Sequence, residues 1–410
     1  MTIKLVKGGK FIGLLLLATM FIFQPNFSYA AEKEVKIGAC ISLSGKLVRE
    51  GTALKKGYAF WADWANARGG ITVGGKKYKV EMLYHDDESN GQTSAKLVEK
   101  LITVDKVDLI LGPYASGMAM ASTTIAERHG YVMILPINNS DKLYSRGYKN
   151  IFSIAPVASH EGWTMLDMLT GQVKDPPKTI AIIASNSPYA LVVATGLKDY
   201  TKQKGLDLVY FEKFPGETSD LSSLLSVIKN KNPDILYVCG YFEHSTLVTR
   251  QLKELKFSPK ALIFAIGPQL PDFVKTLGKD SEYALAPSYW MGTMRYKDPA
   301  FSIEEYNEMF KKQFGHYPTY HSAHGTSAGR LLERALAKAG SLEQAKIRKA
   351  LREIELTDTI TGSIKFNEKG ENLWGKVGVL QIQKGEQKVI YPEKAAESKL
   401  IYPVVPWEKR

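Results

Sequence analysis

Ser116 is the residue best suited, by its type and its position, to bind a ligand or to react with one. It lies in the segment DLILGPYASGMAMASTTIAER, residues 108–128. An apolar run of strand length ends there in a turn of small residues, and a long segment rich in Ala, Met and Thr follows with helical character. A parallel strand that feeds a helix leaves the first N–H groups of that helix free beyond the end of the strand. These donors and the Ser116 hydroxyl can together hold an anionic group.

Catalysis at Ser116 would need an activating base and usually a Gly-x-Ser-x-Gly elbow. The surrounding Tyr-Ala-Ser-Gly lacks that elbow, so ligand contact is the favoured role and helix N-capping the alternative. His321 and His324 have a spacing that metal ligands could use, but no carboxylate accompanies them in the pattern. We therefore expect no catalytic residue, no metal and no cofactor.

Asp86 and Asp87 precede a predicted helix near Gln92. Negative charge before a helix N-terminus is stabilising in itself, so a capping role is favoured over cation binding. Cys40 and Cys239 each lie in an apolar, strand-like run without a neighbouring cysteine, so both are predicted to be buried thiols.

The start of the chain has the pattern of a cleavable secretory signal. Lys4, Lys7 and Lys10 precede an apolar run over residues 11–23, and small residues at Ser28 and Ala30 predict cleavage after Ala30. The apolar run is shorter than the roughly 20 residues of a spanning helix. We therefore expect an exported, periplasmic protein.

Composition narrows the class of function further. The chain has 410 residues and a formal net charge of +12, without a dense Lys/Arg run or a base-stacking motif, so no nucleic-acid partner is expected. Its length suggests two or three domains. Strand and helix patterns alternate up to about residue 155, break at Asp175-Pro176-Pro177 and then alternate again, which predicts an α/β fold of two doubly wound parallel sheets.

Short motifs in a shared order over almost the whole mature chain resemble those of the branched-chain amino-acid binding family, the type I two-lobe periplasmic proteins that serve ABC importers. The motifs are Ile37-Gly38, Leu43-Ser44-Gly45, Ala67-Arg68-Gly69-Gly70-Ile71, Asp86-Asp87, Leu111-Gly112-Pro113 with Ser116, Arg146-Gly147-Tyr148, residues 180–183, Gly240-Tyr241, Gly267-Pro268, Tyr320-His321, and residues 361–367 with Gly370. The resemblance implies three crossings between lobes, near Ala155-Pro156, Ser288 and Phe366-Asn367. The implied organisation is a signal peptide (1–30), lobe 1 (31–155 and 289–366), lobe 2 (156–288 and 367–395) and a C-terminal tail (396–410).

The resemblance also places a ligand between the lobes. Its carboxylate would be bound by Ser116 and its neighbours, and the other candidate ligand-binding residues are Tyr114, Ala115, Asn138, Asn139, Tyr189, Tyr241, Phe242, Gln269, Glu50 and Tyr320. Gln269 stands where the family usually has a glutamate that pairs with the ligand's ammonium, which argues against a standard branched-chain amino-acid site.

The implied function is an extracytoplasmic receptor, not an enzyme, that captures an amino acid, an amide, or an aromatic or aliphatic acid. It would deliver this ligand as a monomer to the permease subunits of an ABC importer. The alternatives are a ligand-sensing receptor of the same fold and a secreted α/β hydrolase, for which converging titratable groups would be expected in the cleft.

Overall fold

Thirteen of the described strands form two large sheets with apolar cores on both faces, and the other four form two short antiparallel pairs. In the computed structural model of the protein, which describes residues 33–294 and 296–410, the strands are β1 (Glu34–Ile41), β2 (Ile71–Val73), β3 (Lys76–Asp86), β4 (Leu109–Leu111), β5 (Met133–Leu135), β6 (Ile151–Ser153), β7 (Thr179–Ser185), β8 (Asp207–Phe214), β9 (Ile235–Cys239), β10 (Ala261–Phe264), β11 (Leu285–Ser288), β12 (Lys297–Asp298), β13 (Phe301–Ser302), β14 (Glu355–Thr359), β15 (Gly362–Lys365), β16 (Gly378–Gln383) and β17 (Glu386–Tyr391).

Helices cover both sheets. They are α1 (Val48–Ala67), α2 (Gly91–Thr103), α3 (Ser116–Arg128), α4 (Asp141–Tyr144), α5 (Trp163–Gly171), α6 (Pro188–Gln203), α7 (Ser222–Lys231), α8 (Phe242–Glu254), α9 (Pro271–Leu277), α10 (Ile303–Phe314), α11 (Tyr320–Ala339) and α12 (Gln344–Arg352).

The first sheet has the order β2-β3-β1-β4-β5-β6, and all neighbours run parallel except β2 and β3. Successive residues of β1 face opposite layers, so Ile37 and Ile41 join one apolar core and Cys40 joins another. Late in the chain, α10, α11 and α12 return to this sheet, and Tyr306, Leu331 and Ile347 pack into its first core. We call this sheet with α1–α4 and α10–α12 the first lobe.

The second sheet has the order β17-β16-β11-β10-β9-β7-β8. Its neighbours run parallel from β11 to β8, whereas β16 and β17 are added antiparallel at one edge. Two further apolar cores lie on its faces. We call this sheet with α5–α9 the second lobe. The residue bounds given above for the lobes and the tail stay predictions.

The alternation predicted from the sequence is present in both large sheets, and the helix that the pattern over residues 303–314 predicts is α10, with the same limits. The helices α4, α5, α9 and α12 were not predicted. Cys40 and Cys239 are free, buried thiols, as expected. The predicted signal peptide and its cleavage after Ala30 lie outside the described residues. Within the described part of the chain, no helix has the length and apolar character needed to cross a membrane.

Candidate ligand-binding site

The turn between β4 and α3 opens on a cleft between the two lobes. The turn ends at Ala115, which has a φ of 62°, and α3 begins at Ser116. A positive φ at a residue other than glycine is uncommon, and such strain concentrates at ligand sites. The Tyr58 hydroxyl holds the turn by donating to the Gly112 carbonyl oxygen at 2.8 Å. The free N–H groups of α3 therefore begin at the cleft, beside the Ser116 hydroxyl.

Side chains from both lobes line this cleft, whose cavity has a volume of about 20 Å³ in this structure. The first lobe contributes Tyr114, Ala115, Ser116, Ile137, Asn139 and Tyr320. The second lobe and the residue after β11 contribute Tyr189, Tyr241, Ala265, Ile266, Gln269, Pro287 and Tyr289. The tyrosine rings supply flat apolar surface with polar ends, which suits a small ligand that is itself partly apolar.

Eight of the residues proposed from the sequence line the cleft: Ser116, Tyr114, Ala115, Asn139, Tyr189, Tyr241, Gln269 and Tyr320. Most of them follow the carboxyl ends of parallel strands, which explains why the fold brings them together, whereas Tyr320 begins α11. Whether each one contacts a ligand stays a prediction.

Three other proposed residues do not line the cleft. The Phe242 ring belongs to a core of the second lobe, where it packs against Phe273, while the Arg49 guanidinium lies 4.1 Å from its centre. Asn138 is buried behind the lining residues, and its side-chain amide has no hydrogen-bond partner among the described residues. Glu50 is also fully buried.

The side chain of Gln269 is committed to the backbone around it. Its Oε1 accepts from the Gly267 N–H at 2.9 Å, and its Nε2 donates to the carbonyl oxygens of Ala265 at 2.7 Å and Pro287 at 2.6 Å. All its polar atoms are thus used in shaping the wall of the cleft. Gln269 therefore lines the cleft without presenting a charge or a free amide group to it.

Glu161 is a buried carboxylate behind the cleft that ties two of its tyrosines together. The Tyr189 hydroxyl lies 2.7 Å and 2.8 Å from the two carboxylate oxygens, and the Tyr289 hydroxyl also donates to Glu161. Asn139 Nδ2 donates to Tyr289 Oη at 2.8 Å. Burial raises the pKa of Glu161 to about 7, although both tyrosine hydrogen bonds oppose the shift. This network joins residues of both lobes.

Sequence reasoning missed several residues of this site. Tyr289 directly follows β11, so the rule that ligands bind beyond the carboxyl ends of strands could have found it. Glu161 gave no comparable signal, because its role depends on two tyrosines that are distant in sequence.

Direct contacts also join the two lobes at the mouth of the cleft. Arg49 forms ion pairs with Glu243 at 3.2 Å and with Asp272 at 3.3 Å, and Lys46 pairs with Glu217. The lobes are thus in contact in this structure. Because these side chains are more than one-third exposed, each pair contributes little by itself and is weakened by salt.

Asp86 and Asp87 hold the loop after β1, so the prediction that they cap α2 was wrong. Asp86 Oδ1 accepts from the Leu43 N–H at 2.9 Å, and Asp87 Oδ1 accepts from the Ser42 hydroxyl at 2.6 Å. The cap of α2 is Asn90, whose side chain accepts from two N–H groups of the first turn. The two acids therefore fix the loop that leads into α1.

The histidine pair of α11 is deeply buried. His324 Nδ1 is hydrogen-bonded to the Tyr320 carbonyl oxygen at 2.8 Å, whereas the two ring nitrogens of His321 have no partner among the described residues. Residues 33–294 and 296–410 contain no group of three or more His, Cys, Asp and Glu side chains placed to hold a metal ion.

Comparison with known proteins identifies the family. The sequence profile of the periplasmic binding proteins matches residues 34–387. The chain belongs to this family. It is similar to Leu/Ile/Val-binding protein homolog 7 of Brucella suis biovar 1 (strain 1330), with 27% identity over 396 residues that cover 91% of this chain and 95% of the relative. The resemblance to the branched-chain amino-acid binding proteins is thus confirmed.

Solved structures show the same fold. The leucine binding protein LivK of Thermotoga maritima MSB8 superposes with a TM-score of 0.78 at 22% identity, covering 87% of this chain and 97% of that protein. An ABC-transporter solute binding protein of Rhodopseudomonas palustris BisB5, solved with 3,4-dihydroxybenzoic acid, superposes with a TM-score of 0.75 at 19% identity. That match covers 92% of this chain and all of the other. The predicted type I periplasmic-binding fold is confirmed.

Proposed function

We propose that this periplasmic binding protein captures a small carboxylate-bearing molecule between its lobes and delivers it to the permease of an ABC importer. The observation that carries the proposal is the start of α3 at Ser116, where free N–H groups, a hydroxyl and a strained turn meet at the cleft. The positive end of a helix dipole and unpaired backbone donors favour an anion without any further charged residue.

The ligand we favour is an aromatic monocarboxylate rather than an α-amino acid. An ammonium group needs a carboxylate or several acceptors, and no Asp or Glu is found among the described residues that line the cleft. Gln269 carries no negative charge, and its amide oxygen already accepts a hydrogen bond from the Gly267 N–H. The rings of Tyr114 and Tyr241, whose centres are 6.4 Å apart, offer surface to an aromatic body, and the dihydroxybenzoate complex of the R. palustris protein supports this class.

Binding, and not turnover, is the proposed use of Ser116. In the described part of the chain, its Oγ has one hydrogen bond, from the Ser140 N–H at 3.4 Å, and no base is placed to activate it. The ligand would instead favour the conformation in which both lobes contact it, since only differential affinity shifts such a population. The proposed place of action is the periplasm, after removal of residues 1–30.

Ligand screening of the purified protein tests this proposal. We expect benzoate to raise the melting temperature and benzamide, which lacks the negative charge, to do so far less, because a ligand at about 100 times its Kd adds about 3 kcal/mol to stability. Leucine should bind more weakly than benzoate. If no carboxylate shifts the melting temperature, or if benzamide matches benzoate, the proposal is wrong.

A matched pair of serine variants in α3 locates the carboxylate. Ser116→Ala should weaken benzoate binding by about ten-fold or more, since a hydrogen bond to a charged group contributes roughly 1.5–3 kcal/mol. Ser122→Ala is the control, because Ser122 is buried in the same helix and its hydroxyl donates to the Met118 carbonyl oxygen at 3.0 Å. Equal Kd values for the two variants in calorimetric titration would remove Ser116 from the site.

A further inference from the structure

Tyr189 and Tyr289 line the cleft, and the hydroxyl groups of both are hydrogen-bonded to Glu161 behind it. Glu161 lies just before α5 and is 0% exposed. The Tyr189 hydroxyl oxygen lies 2.7 Å from Oε1 of Glu161 and 2.8 Å from Oε2, whereas Tyr289 is bonded to Oε2 alone. One buried carboxyl group therefore decides where the hydroxyl hydrogens of two cleft residues point.

The two hydroxyl groups differ in their other partners. The Tyr289 oxygen also accepts from Asn139 Nδ2 at 2.8 Å, which fixes it from the first lobe. The Tyr189 hydroxyl has no partner except Glu161 among the described residues. A phenol can both donate and accept a hydrogen bond. Tyr189 is thus the residue whose hydroxyl hydrogen can change direction without breaking a contact elsewhere.

The ionised form of Glu161 gives the cleft a wall that only accepts. A carboxylate has no hydrogen to donate, so the hydroxyl hydrogens of Tyr189 and Tyr289 both point at it. Their oxygens then offer lone pairs to the cleft, with a negative charge directly behind them. Such a wall repels an anion.

The protonated form of Glu161 gives the wall a donor. Its Oε1 can then donate to the Tyr189 oxygen, while its Oε2 still accepts from Tyr289. The hydroxyl hydrogen of Tyr189 is released from Glu161 and can donate to an acceptor in the cleft. The negative charge behind the wall is lost in the same step, so both changes favour an acidic ligand.

The titratable groups that surround Glu161 do not neutralise its charge. Burial raises the pKa of six of them, which are therefore uncharged at neutral pH: Tyr189, Tyr237, Cys239, Tyr241, Tyr289 and Tyr320. Burial lowers the pKa of His324, whose ring centre lies 6.1 Å from that of Tyr289, to about 4, so it is uncharged as well. His160 is exposed and stacks on Trp163. Without a cationic partner in the described part of the chain, the buried Glu161 has a pKa raised to about 7.

We propose that Glu161 sets the hydrogen-bonding polarity of the cleft: when protonated it lets Tyr189 donate to an acidic ligand, and when ionised it turns the same wall against one. Capture of the ligand is then coupled to one proton, which Glu161 retains or takes up from water. Glu161 is a positioning residue, because it acts through the tyrosines and does not touch the ligand. Since the acidic ligand comes from the proposed function, this inference rests on it.

The pH dependence of benzoate affinity tests this coupling. For a pKa of about 7, the protonated fraction of Glu161 falls from about 90% at pH 6 to about 9% at pH 8, so the Kd for benzoate should rise about ten-fold. Benzoate itself is ionised over the whole range. Calorimetric titration of the wild-type protein at pH 6, 7 and 8 measures the three Kd values.

Titration in two buffers adds a readout that a purely structural role of Glu161 would not change. At pH 8 the wild-type protein should take up most of one proton for each benzoate bound. The binding enthalpy should therefore differ between phosphate and Tris buffer, because the two buffers release a proton with different enthalpies. This measurement needs no variant, so it is independent of how a substitution affects folding.

Glu161→Gln separates hydrogen-bonding polarity from packing. Its amide can donate to Tyr189 and accept from Tyr289, as the protonated acid does, but it cannot ionise. At pH 8 this variant should bind benzoate as tightly as the wild-type protein does at pH 6. Its Kd should change less than two-fold between pH 6 and pH 8, without proton uptake.

Two tyrosines of α6 form a matched pair of variants. Tyr189→Phe removes the hydroxyl that passes the state of Glu161 to the cleft, so it should weaken benzoate binding at pH 6 and reduce the pH dependence. Tyr200→Phe is the control, because the Tyr200 hydroxyl also donates to a carboxylate, that of Asp167 at 2.7 Å, but does not line the cleft. It should keep the wild-type Kd at each pH.

The failures are distinct. Equal Kd values for the wild-type protein at pH 6 and pH 8, equal binding enthalpies in the two buffers at pH 8, or a Glu161→Gln variant that keeps the wild-type pH dependence would each overturn this inference and leave the proposed function standing. A protein that binds benzoate at none of these pH values contradicts the proposed function and this inference together.

Discussion

Replacement of Glu161 tests how the tyrosines of the cleft are held. The carboxylate is 0% exposed and accepts hydrogen bonds from Tyr189 and Tyr289, while Asn139 supports Tyr289 from the other lobe. The Glu161→Gln variant has a side chain of nearly the same shape that cannot ionise. Glu161→Leu removes both acceptors and leaves two buried hydroxyls to find new partners, at a cost of roughly 1–3 kcal/mol each.

The pH dependence of stability has a definite sign. Glu161 has an ordinary pKa of 4.5, and burial raises it to about 7 in the folded protein. The folded state thus holds this proton more tightly than the unfolded state, so stability is highest below pH 4.5 and falls as pH rises through 7. Between pH 5 and pH 8 this one group should remove roughly 2 kcal/mol from the free energy of unfolding.

Urea unfolding followed by tryptophan fluorescence at pH 5, 6, 7 and 8 measures this effect. Wild type should lose roughly 2 kcal/mol relative to Glu161→Gln over that range, because the other buried acids titrate alike in both proteins and cancel. A difference between the two proteins that does not change with pH would refute a buried, ionisable Glu161. Glu161→Leu should also weaken benzoate binding, since Tyr189 and Tyr289 lose their fixed positions.

Three other changes test the packing and the contacts between lobes. Asp298→Ala should lower the free energy of unfolding by about 1–3 kcal/mol, because Arg330 and Arg334 lose the buried carboxylate that they share and keep only Glu333 and Asp358; an unchanged value in urea titration would contradict this. Gly57→Ala should lower the melting temperature, as its Cβ would meet a backbone oxygen at 2.1 Å, and an unchanged value would show that α1 and α11 can separate freely. Arg49→Ala should increase the radius of gyration of the ligand-free protein in X-ray scattering, with wild type approaching it at high salt, whereas identical profiles would show that the ion pairs do not favour contact between the lobes.

Much of the fold follows from local pattern. Strands that are buried on both faces are continuous apolar runs, and helices between them show helical periodicity, so the alternation in both lobes could be predicted. The limits of α10 were also predictable, because Ser302 and Glu305 form a capping box at its start and Gly315 ends it in a left-handed conformation. The helix α5 was missed, since its short run of mostly apolar residues gives a weak periodic signal.

Some residues of the candidate site could also be predicted from the sequence, and others could not. Residues at the carboxyl ends of strands, such as Ser116 and Tyr241, could be placed because topology alone brings them to the cleft. The role of Gln269 could not, because it depends on carbonyl groups of β11 and its surroundings that only the folded chain supplies. Phe242 follows Tyr241 directly, yet the helix that begins there turns its ring into the core. Two residues that are adjacent in sequence can therefore point their side chains to different parts of the fold.

Both lobes are completed by segments that come late in the chain. The first lobe needs α10–α12, which come after β11, and the second needs β16, whose last residue is Gln383. Neither half can therefore close its core until nearly the whole polypeptide is available, and contacts between remote segments form slowly. Each sheet therefore reaches its final packing late, after the segments that are remote in sequence have joined it.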